Sequence, residues 1–159
     1  MAPRQVRVFV LTVSDTRTDD TDTAGLAICD LLKANGHVVA GKAIEKDEPA
    51  RVAELVRQQA VIGDVDAIIT TGGTGLTSRD STFEAIDALL TKRIPGFGEL
   101  FRMLSYHDIG SAAMMSRACA GTIGRIVVIS LPGAEKAVRL AMDKLVIPEL
   151  AHLVQQASK

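Results

Sequence analysis

The residues best suited to chemistry lie between Thr70 and Asp80, in the run Thr70-Thr71-Gly72-Gly73-Thr74-Gly75 followed by Leu76-Thr77-Ser78-Arg79-Asp80. Glycines at the exit of a buried strand let the backbone approach a ligand closely and present N–H donors to anionic oxygens. Thr71 and Thr74 add hydroxyl donors to the same loop. No Gly-Lys-Ser/Thr follows, so this is not a Walker loop, and the spacing is not the GxGxxG dinucleotide fingerprint. The chemistry it suits is contact with a phosphate or a pterin. A plain tight turn is the other reading that these residues leave open.

Asp80, preceded by Arg79, lies just before a predicted helix, and Asp47 follows the second predicted strand. Two carboxylates on neighbouring loops can hold one Mg2+ among nucleotide phosphates, the usual arrangement for that cation. Each also reads as a helix N-cap, and the two roles are compatible. Ser14-Asp15 after the first strand reads as an Asx turn, a cap or a ligand contact. Pro132-Gly133 terminates a later strand. Ser116 and Arg117 lie in an irregular stretch, where the arginine suits a bidentate phosphate contact or a subunit contact. His37, His107 and His152 are scattered without ligand spacing, and no GxSxG elbow or Cys–His pair supports a covalent nucleophile.

These residues need elements to bring them together, and the hydrophobic pattern supplies them. Val6 to Val13 reads as a strand buried on both faces, and the polar stretch from Ser14 to Thr23 leads into a helix over Ala24 to Ala34, stopped by Asn35-Gly36. A strand over His37 to Ile44 follows. Next come a turn with Asp47 as cap and a helix from Pro49 to about Ala60, broken at Gly63-Asp64. Ala67 to Thr71 is a strand, Thr82 to Leu90 a helix, Pro95 to Gly98 a turn, and Glu99 to Leu104 a helix. Gly110 to Thr122 has no clear period. Arg125 to Leu131 is a buried strand that can pair with residues near Ala118 to Thr122. Ala134 to Leu145 is a helix, and after Pro148 a last helix runs to about Gln156.

This alternation predicts an α/β fold, a three-layer α/β/α sandwich with a mostly parallel sheet and right-handed crossovers. In such sheets ligands bind beyond the carboxyl ends of the strands. That rule gathers Ser14-Asp15, Glu45 to Glu48, Thr70 to Asp80 and Pro132-Gly133 into one candidate site.

The chain has 159 residues, suited to one domain over 1–159 with an ordered core near 6–155. Lys and Arg number 18 and Asp and Glu 19, so no strong electrostatic footprint for nucleic acid or an acidic membrane is expected. No uncharged apolar run is long enough for a membrane span, and the hydrophilic start carries no signal-peptide pattern. Cys29 and Cys119 lie far apart in apolar surroundings, which predicts buried thiols and a reducing cytoplasm.

The runs Thr70 to Ile86 (TTGGTGLTSRDSTFEAI), Ile94 to Gly121 and Ile129 to Ala134 (ISLPGA), with the opening Val10 to Gly25, resemble the MoaB/MogA family of molybdenum cofactor biosynthesis. The resemblance covers about residues 6 to 155 in the family's order and spacing. It implies the molybdopterin-binding fold, binding of molybdopterin, and in active members adenylylation by Mg·ATP to give molybdopterin adenylate and pyrophosphate. The alternative it leaves is a carrier that binds molybdopterin without turnover. It also implies a homotrimer or a dimer of trimers, with other cofactor-biosynthesis proteins as partners.

Residue by residue, the resemblance makes Asp80 a catalytic carboxylate and Asp47 its acidic partner, both toward Mg2+. It makes Ser14-Asp15, Gly72 to Gly75 and Pro132-Gly133 substrate contacts, and the reading of the residues themselves adds Thr71, Ser116 and Arg117 to them. Two features depart from the pattern. Ala134 stands where many members have Ser or Asn, and Phe101 to Gly110 is nearer the MoaB branch. The apolar stretch from Phe97 to Met115 is the expected subunit interface.

Overall fold

The computed structural model describes residues 4–62 and 64–159. The chain runs through β1 (Arg7–Val13), α1 (Thr23–Ala34), β2 (Val38–Glu45), α2 (Pro49–Ile62), β3 (Ala67–Thr71) and α3 (Thr82–Asp87). It continues through β4 (Lys92–Arg93), α4 (Pro95–Ile109), a 3-10 helix (Gly110–Met115), β5 (Cys119–Ile123), β6 (Ile126–Leu131), α5 (Glu135–Ala141), a π turn (Met142–Val146) and α6 (Ile147–Ala157). Gly63 of the expected Gly63-Asp64 break, and the first three residues of the hydrophilic start, lie outside the described residues.

The strands form one sheet in the order β2-β1-β3-β6-β5-β4, parallel through β6 and antiparallel at β5 and β4. The apolar residues that alternate along each strand divide between its two faces. Val8, Val10, Ile69 and Ile129 pack under α1, α4, α5 and α6, whereas Phe9, Leu11, Ile68 and Val128 pack under α2 and α3. The mostly parallel α/β sheet with helices on both faces therefore stands as expected, and the β5–β6 hairpin is the pairing foreseen near Ala118 to Thr122.

Local chemistry sets the boundaries. Asp22 accepts the Gly25 N–H at 3.0 Å and caps α1, and Gly36, at a φ of +82°, turns the chain away after its end. Several expectations need correction. Pro95 to Gly98 is not a turn but the first turn of α4, because a proline at N1 has its φ preset for helix and no N–H to lose. Gly98 permits that start, since a β-carbon there would meet the Ala118 carbonyl at 2.9 Å. α3 ends at Asp87 rather than Leu90. The stretch without a clear period contains the 3-10 helix and β5, and the two-residue β4 had no hydrophobic signal. The break expected at Pro148 is absorbed as the π turn. Pro148 has no N–H for the Lys144 carbonyl, and the helix widens instead of ending.

Neither acid serves as the expected cap. The N-cap of α3 is Ser81, and the amides of Arg51 and Val52 at the start of α2 bond the Glu48 carbonyl. Asp47 and Asp80 have other partners.

Candidate functional site

In-register pairing sets Thr12, Thr71 and Leu131 side by side in the parallel sheet, with Ile44 beside Thr12. The loops that follow β1, β2, β3 and β6 therefore leave from one edge, and they are laced together. The Ser14 N–H bonds the Glu45 carbonyl at 2.9 Å and the Gly72 N–H bonds the Leu131 carbonyl at 2.9 Å. The Asp47 N–H donates to Asp15 at 3.2 Å, and Arg79 grips the same Asp15 carboxylate through two bonds of 2.9 and 2.8 Å. Those bonds from Arg79 hold the Asp15 carboxyl below the usual carboxylate range.

Between these loops opens a cleft of about 700 Å3. Ser14, Asp15, Asp47, Thr71, Gly72, Gly73, Thr74, Gly75, Asp80, Ser116, Pro132 and Gly133 all line it, so the residues singled out in the sequence converge with one exception. Arg117 does not line the cleft. Its guanidinium lies behind the glycine loop, bonded to the carbonyls of Thr74, Gly75 and Asp80 and to the Glu84 carboxylate, with the Phe83 ring 5.1 Å away.

Of three hydroxyl side chains in the cleft, only Thr71 departs from its sequence reading. The Thr71 hydroxyl donates to the Pro132 carbonyl at 2.7 Å and ties two loops together, so its donor is already engaged. Thr74 keeps its hydroxyl without a protein partner among the described residues. Ser14 accepts the N–H groups of Thr16 and Arg17 at 3.2 and 3.0 Å, which makes the expected local turn.

The glycine loop threads between the two carboxylates. A β-carbon on Gly73 would stand 3.1 Å from Asp47 Oδ2, and one on Gly75 would stand 2.7 Å from Asp80 Oδ2. Asp47 is 7% exposed, and its Oδ1 accepts the Ser81 hydroxyl at 2.7 Å and the Ser81 N–H at 3.3 Å. Asp80 Oδ2 accepts the Thr77 hydroxyl and N–H at 2.7 and 3.0 Å. Each carboxylate thus has one anchored oxygen and one, Asp47 Oδ2 or Asp80 Oδ1, without a hydrogen-bond donor among the described residues. Free carboxylate oxygens beside a phosphate-sized loop are hard donors of the kind Mg2+ takes, usually as one or two carboxylates completed by substrate phosphates. No group of three or more His, Cys, Asp or Glu able to hold a metal occurs among the described residues.

Sequence reasoning missed a second charged pair, whose carboxylate lines the cleft. Asp22, 1% exposed, accepts the Lys42 ammonium at 2.6 Å, the Thr12 hydroxyl at 2.6 Å and the Gly25 N–H. Burial alone would raise its pKa, but these three donors prevail and hold it below the ordinary value. The only signal was a threonine interrupting an apolar strand. Also unforeseen are the apolar side chains that Phe101, Ile109, Met115, Ala134 and Ala137 bring to the cleft lining. No helix among the described residues is long and apolar enough to cross a membrane.

A family profile described as "Probable molybdopterin binding domain" matches residues 9–152. Molybdenum cofactor biosynthesis protein B of Bacillus anthracis is 54% identical over 153 residues, spanning 96% of this chain and 90% of that protein. A crystal structure of molybdenum cofactor biosynthesis protein B superposes with a TM-score of 0.96 at 52% identity, covering 99% of both chains. The tungsten cofactor synthesizing protein MoaB of Pyrococcus furiosus superposes with a TM-score of 0.87 at 35% identity, over 99% of this chain and 100% of that one.

Proposed function

This chain belongs to the molybdopterin-binding domain family of molybdenum cofactor biosynthesis, and from that premise we propose that its cleft binds molybdopterin and transfers AMP from Mg·ATP to the molybdopterin phosphate. The observation that carries this reading is the glycine loop running between Asp47 and Asp80, each with one carboxylate oxygen free of protein donors.

Charge supports it. Four aspartates and two arginines line the cleft. Arg79 pairs with Asp15 and Lys42 with Asp22, whereas Asp47 and Asp80 have no ion-pair partner among the described residues. A bare polyphosphate would be repelled there, whereas one that carries a divalent cation meets two carboxylates. Bound with ATP, Mg2+ supplies charge neutralisation on the phosphate oxygens.

The rest is positioning. An oxygen of the molybdopterin phosphate attacks the α-phosphorus of ATP in line, the new P–O bond forms as the bond to the β-phosphate oxygen breaks, and pyrophosphate leaves. The nucleophile is already an anion, so the protein need supply no general base. Backbone N–H groups of Gly73 to Gly75 and the Thr74 hydroxyl hold phosphate oxygens, the Gly72 N–H being engaged by the Leu131 carbonyl, while Ser14-Asp15, Ser116 and Pro132-Gly133 shape the walls. The apolar lining from Phe101, Ile109 and Met115 takes a flat heterocycle.

The second reading is a molybdopterin carrier without turnover, and Ala134 favours it. It lines the cleft at the N-cap of α5 with no side-chain oxygen to offer. Purified protein incubated with molybdopterin and Mg·ATP distinguishes the two. Adenylate and pyrophosphate in equal amounts support the transferase, and tight molybdopterin binding without either product supports the carrier.

We also propose a trimer or hexamer in a soluble cytoplasmic setting. The support is an apolar stripe along α4 and the following 3-10 helix, where Leu100, Met103, Tyr106, Ile109, Met114 and Met115 are each about half exposed or more.

A further inference from the structure

We infer that Arg117 is a positioning residue: it aims the Ser81 N–H at Asp47 by holding the other side of the Asp80–Ser81 peptide, and it does not itself bind a substrate phosphate. The inference rests on the adenylyl-transfer reading, because fixing Asp47 affects turnover only if Asp47 takes part in it.

The geometry is that of one peptide group held from both sides. Arg117 Nη2 donates to the Asp80 carbonyl at 3.1 Å, and the N–H of the same peptide donates to Asp47 Oδ1 at 3.3 Å. In a planar trans peptide these two groups point in opposite directions. The bond on Arg117's side therefore fixes the direction of the donor on the Asp47 side. The same constraint acts twice more, since Arg117 Nε and Nη2 hold the Gly75 carbonyl at 3.1 and 2.7 Å, and Nε also reaches the Thr74 carbonyl at 3.4 Å. The N–H groups of Gly75 and Leu76 consequently point away from the guanidinium.

Arg117 is itself anchored. Its own N–H donates to the Thr74 carbonyl at 3.1 Å, and its remaining fork engages Glu84, whose carboxyl is thereby held below the usual range. Arg102 Nη1 braces the segment by donating to the Ser116 and Ala118 carbonyls at 3.3 and 3.2 Å. A planar fork with donors at fixed angles reaches three carbonyls and a carboxylate together, which a lysine ammonium at the end of a flexible stem does not. With those donors engaged and the side chain outside the cleft lining, little remains to hold a phosphate.

The test uses wild type, Arg117→Lys and Arg117→Ala. Amide hydrogen exchange of the unliganded proteins is expected to be at least about tenfold faster at Ser81 and Thr82 in both variants, with β1, β3 and β6 unchanged. Unchanged exchange at Ser81 overturns the inference. If the alanine variant does not fold, the lysine variant decides, with the sheet amides as its folding control. In steady-state assays with molybdopterin and Mg·ATP, kcat is expected to fall about 10- to 100-fold in both variants while either KM moves less than about threefold. A raised KM with kcat preserved, and lysine serving nearly as well as arginine, marks a substrate anchor and overturns it. Adding Arg117→Lys to Asp47→Asn is expected to lower kcat no further, and fully additive losses also overturn it. A wild type without turnover sinks the adenylyl-transfer reading alone, and the exchange rates still decide what Arg117 does.

Discussion

Thr82 stands in the space that a side chain on Gly73 would need. Its Oγ1 lies 1.9 Å from where a β-carbon at residue 73 would be, and φ there is +73°. The Thr82 N–H is bonded to the Gly73 carbonyl at 3.1 Å, so neither group can easily move aside.

Gly73→Ala is therefore expected to destabilise the protein by about 2–3 kcal/mol, from left-handed strain plus overpacking, and to abolish ligand binding. Gly75→Ala is the contrast. Its β-carbon would meet the end of the Asp80 side chain, which can rotate. Its stability is expected to fall by only about 1 kcal/mol, from the Thr77 bonds that the displaced carboxylate gives up, while displacement of that carboxylate lowers turnover. Urea unfolding beside an activity assay separates the two. Equal stability of both variants would contradict the packing described.

The Asp22–Lys42 pair makes stability depend on acid. Asp22 in the folded protein titrates below its ordinary 3.8, so the folded state holds fewer protons than the unfolded chain as pH falls through that region. Its contribution is fully present above about pH 4 and is lost as pH drops through the folded value. Lys42→Met leaves a buried carboxylate without its cation, at an expected cost of about 3 kcal/mol at pH 7. The loss shrinks as Asp22 protonates. Denaturation of both proteins at pH 7 and pH 3 measures this, and an equal loss at both would count against the pair.

Ala134 begins α5 without a capping oxygen. Ala134→Ser is expected to stabilise the protein by about 1 kcal/mol, the usual effect of an N-cap hydroxyl. Because residue 134 also lines the cleft, the same change is expected to tighten molybdopterin binding. Thermal melts with and without ligand check both effects, and a stabilised variant with unchanged affinity would place Ala134 outside the ligand's reach.

The stripe on α4 predicts self-association. Sedimentation at micromolar concentration is expected to give a mass several times the 16.9 kDa of one chain. Met103→Glu is expected to shift it to monomer, because a charge would have to be buried in an apolar contact. A wild-type mass of 16.9 kDa refutes the interface.

Much of this architecture is legible in the residues because its signals are local. The alternation of β-branched runs with amphipathic helices predicts the sheet, and the rule that ligands sit beyond strand carboxyl ends gathers Ser14, Asp47, Gly73 and Pro132 at one edge from the sequence alone. Contacts across long separations are not legible. Nothing near Arg117 tells that its guanidinium reaches carbonyls about forty residues earlier, or that Asp47 bonds Ser81 rather than capping its own helix. Pro95 misleads because proline serves turns and helix starts alike, and only the packing of Gly98 against Arg102 and Ala118 decides. Asp22 and Lys42 are twenty residues apart and meet only because β2 lies beside β1.

The most direct test of the proposed chemistry compares wild type with Asp80→Asn under molybdopterin and Mg·ATP, following adenylate, pyrophosphate and molybdopterin affinity together. The asparagine keeps an oxygen for Thr77 while removing the charge. The expected result is stoichiometric adenylate and pyrophosphate from wild type, with turnover lowered at least about 100-fold in the variant and molybdopterin binding retained, as for loss of an interaction that acts in the transition state. Undiminished turnover in Asp80→Asn would contradict the role given to that carboxylate, and a wild type that binds molybdopterin but forms no adenylate would contradict the transferase itself.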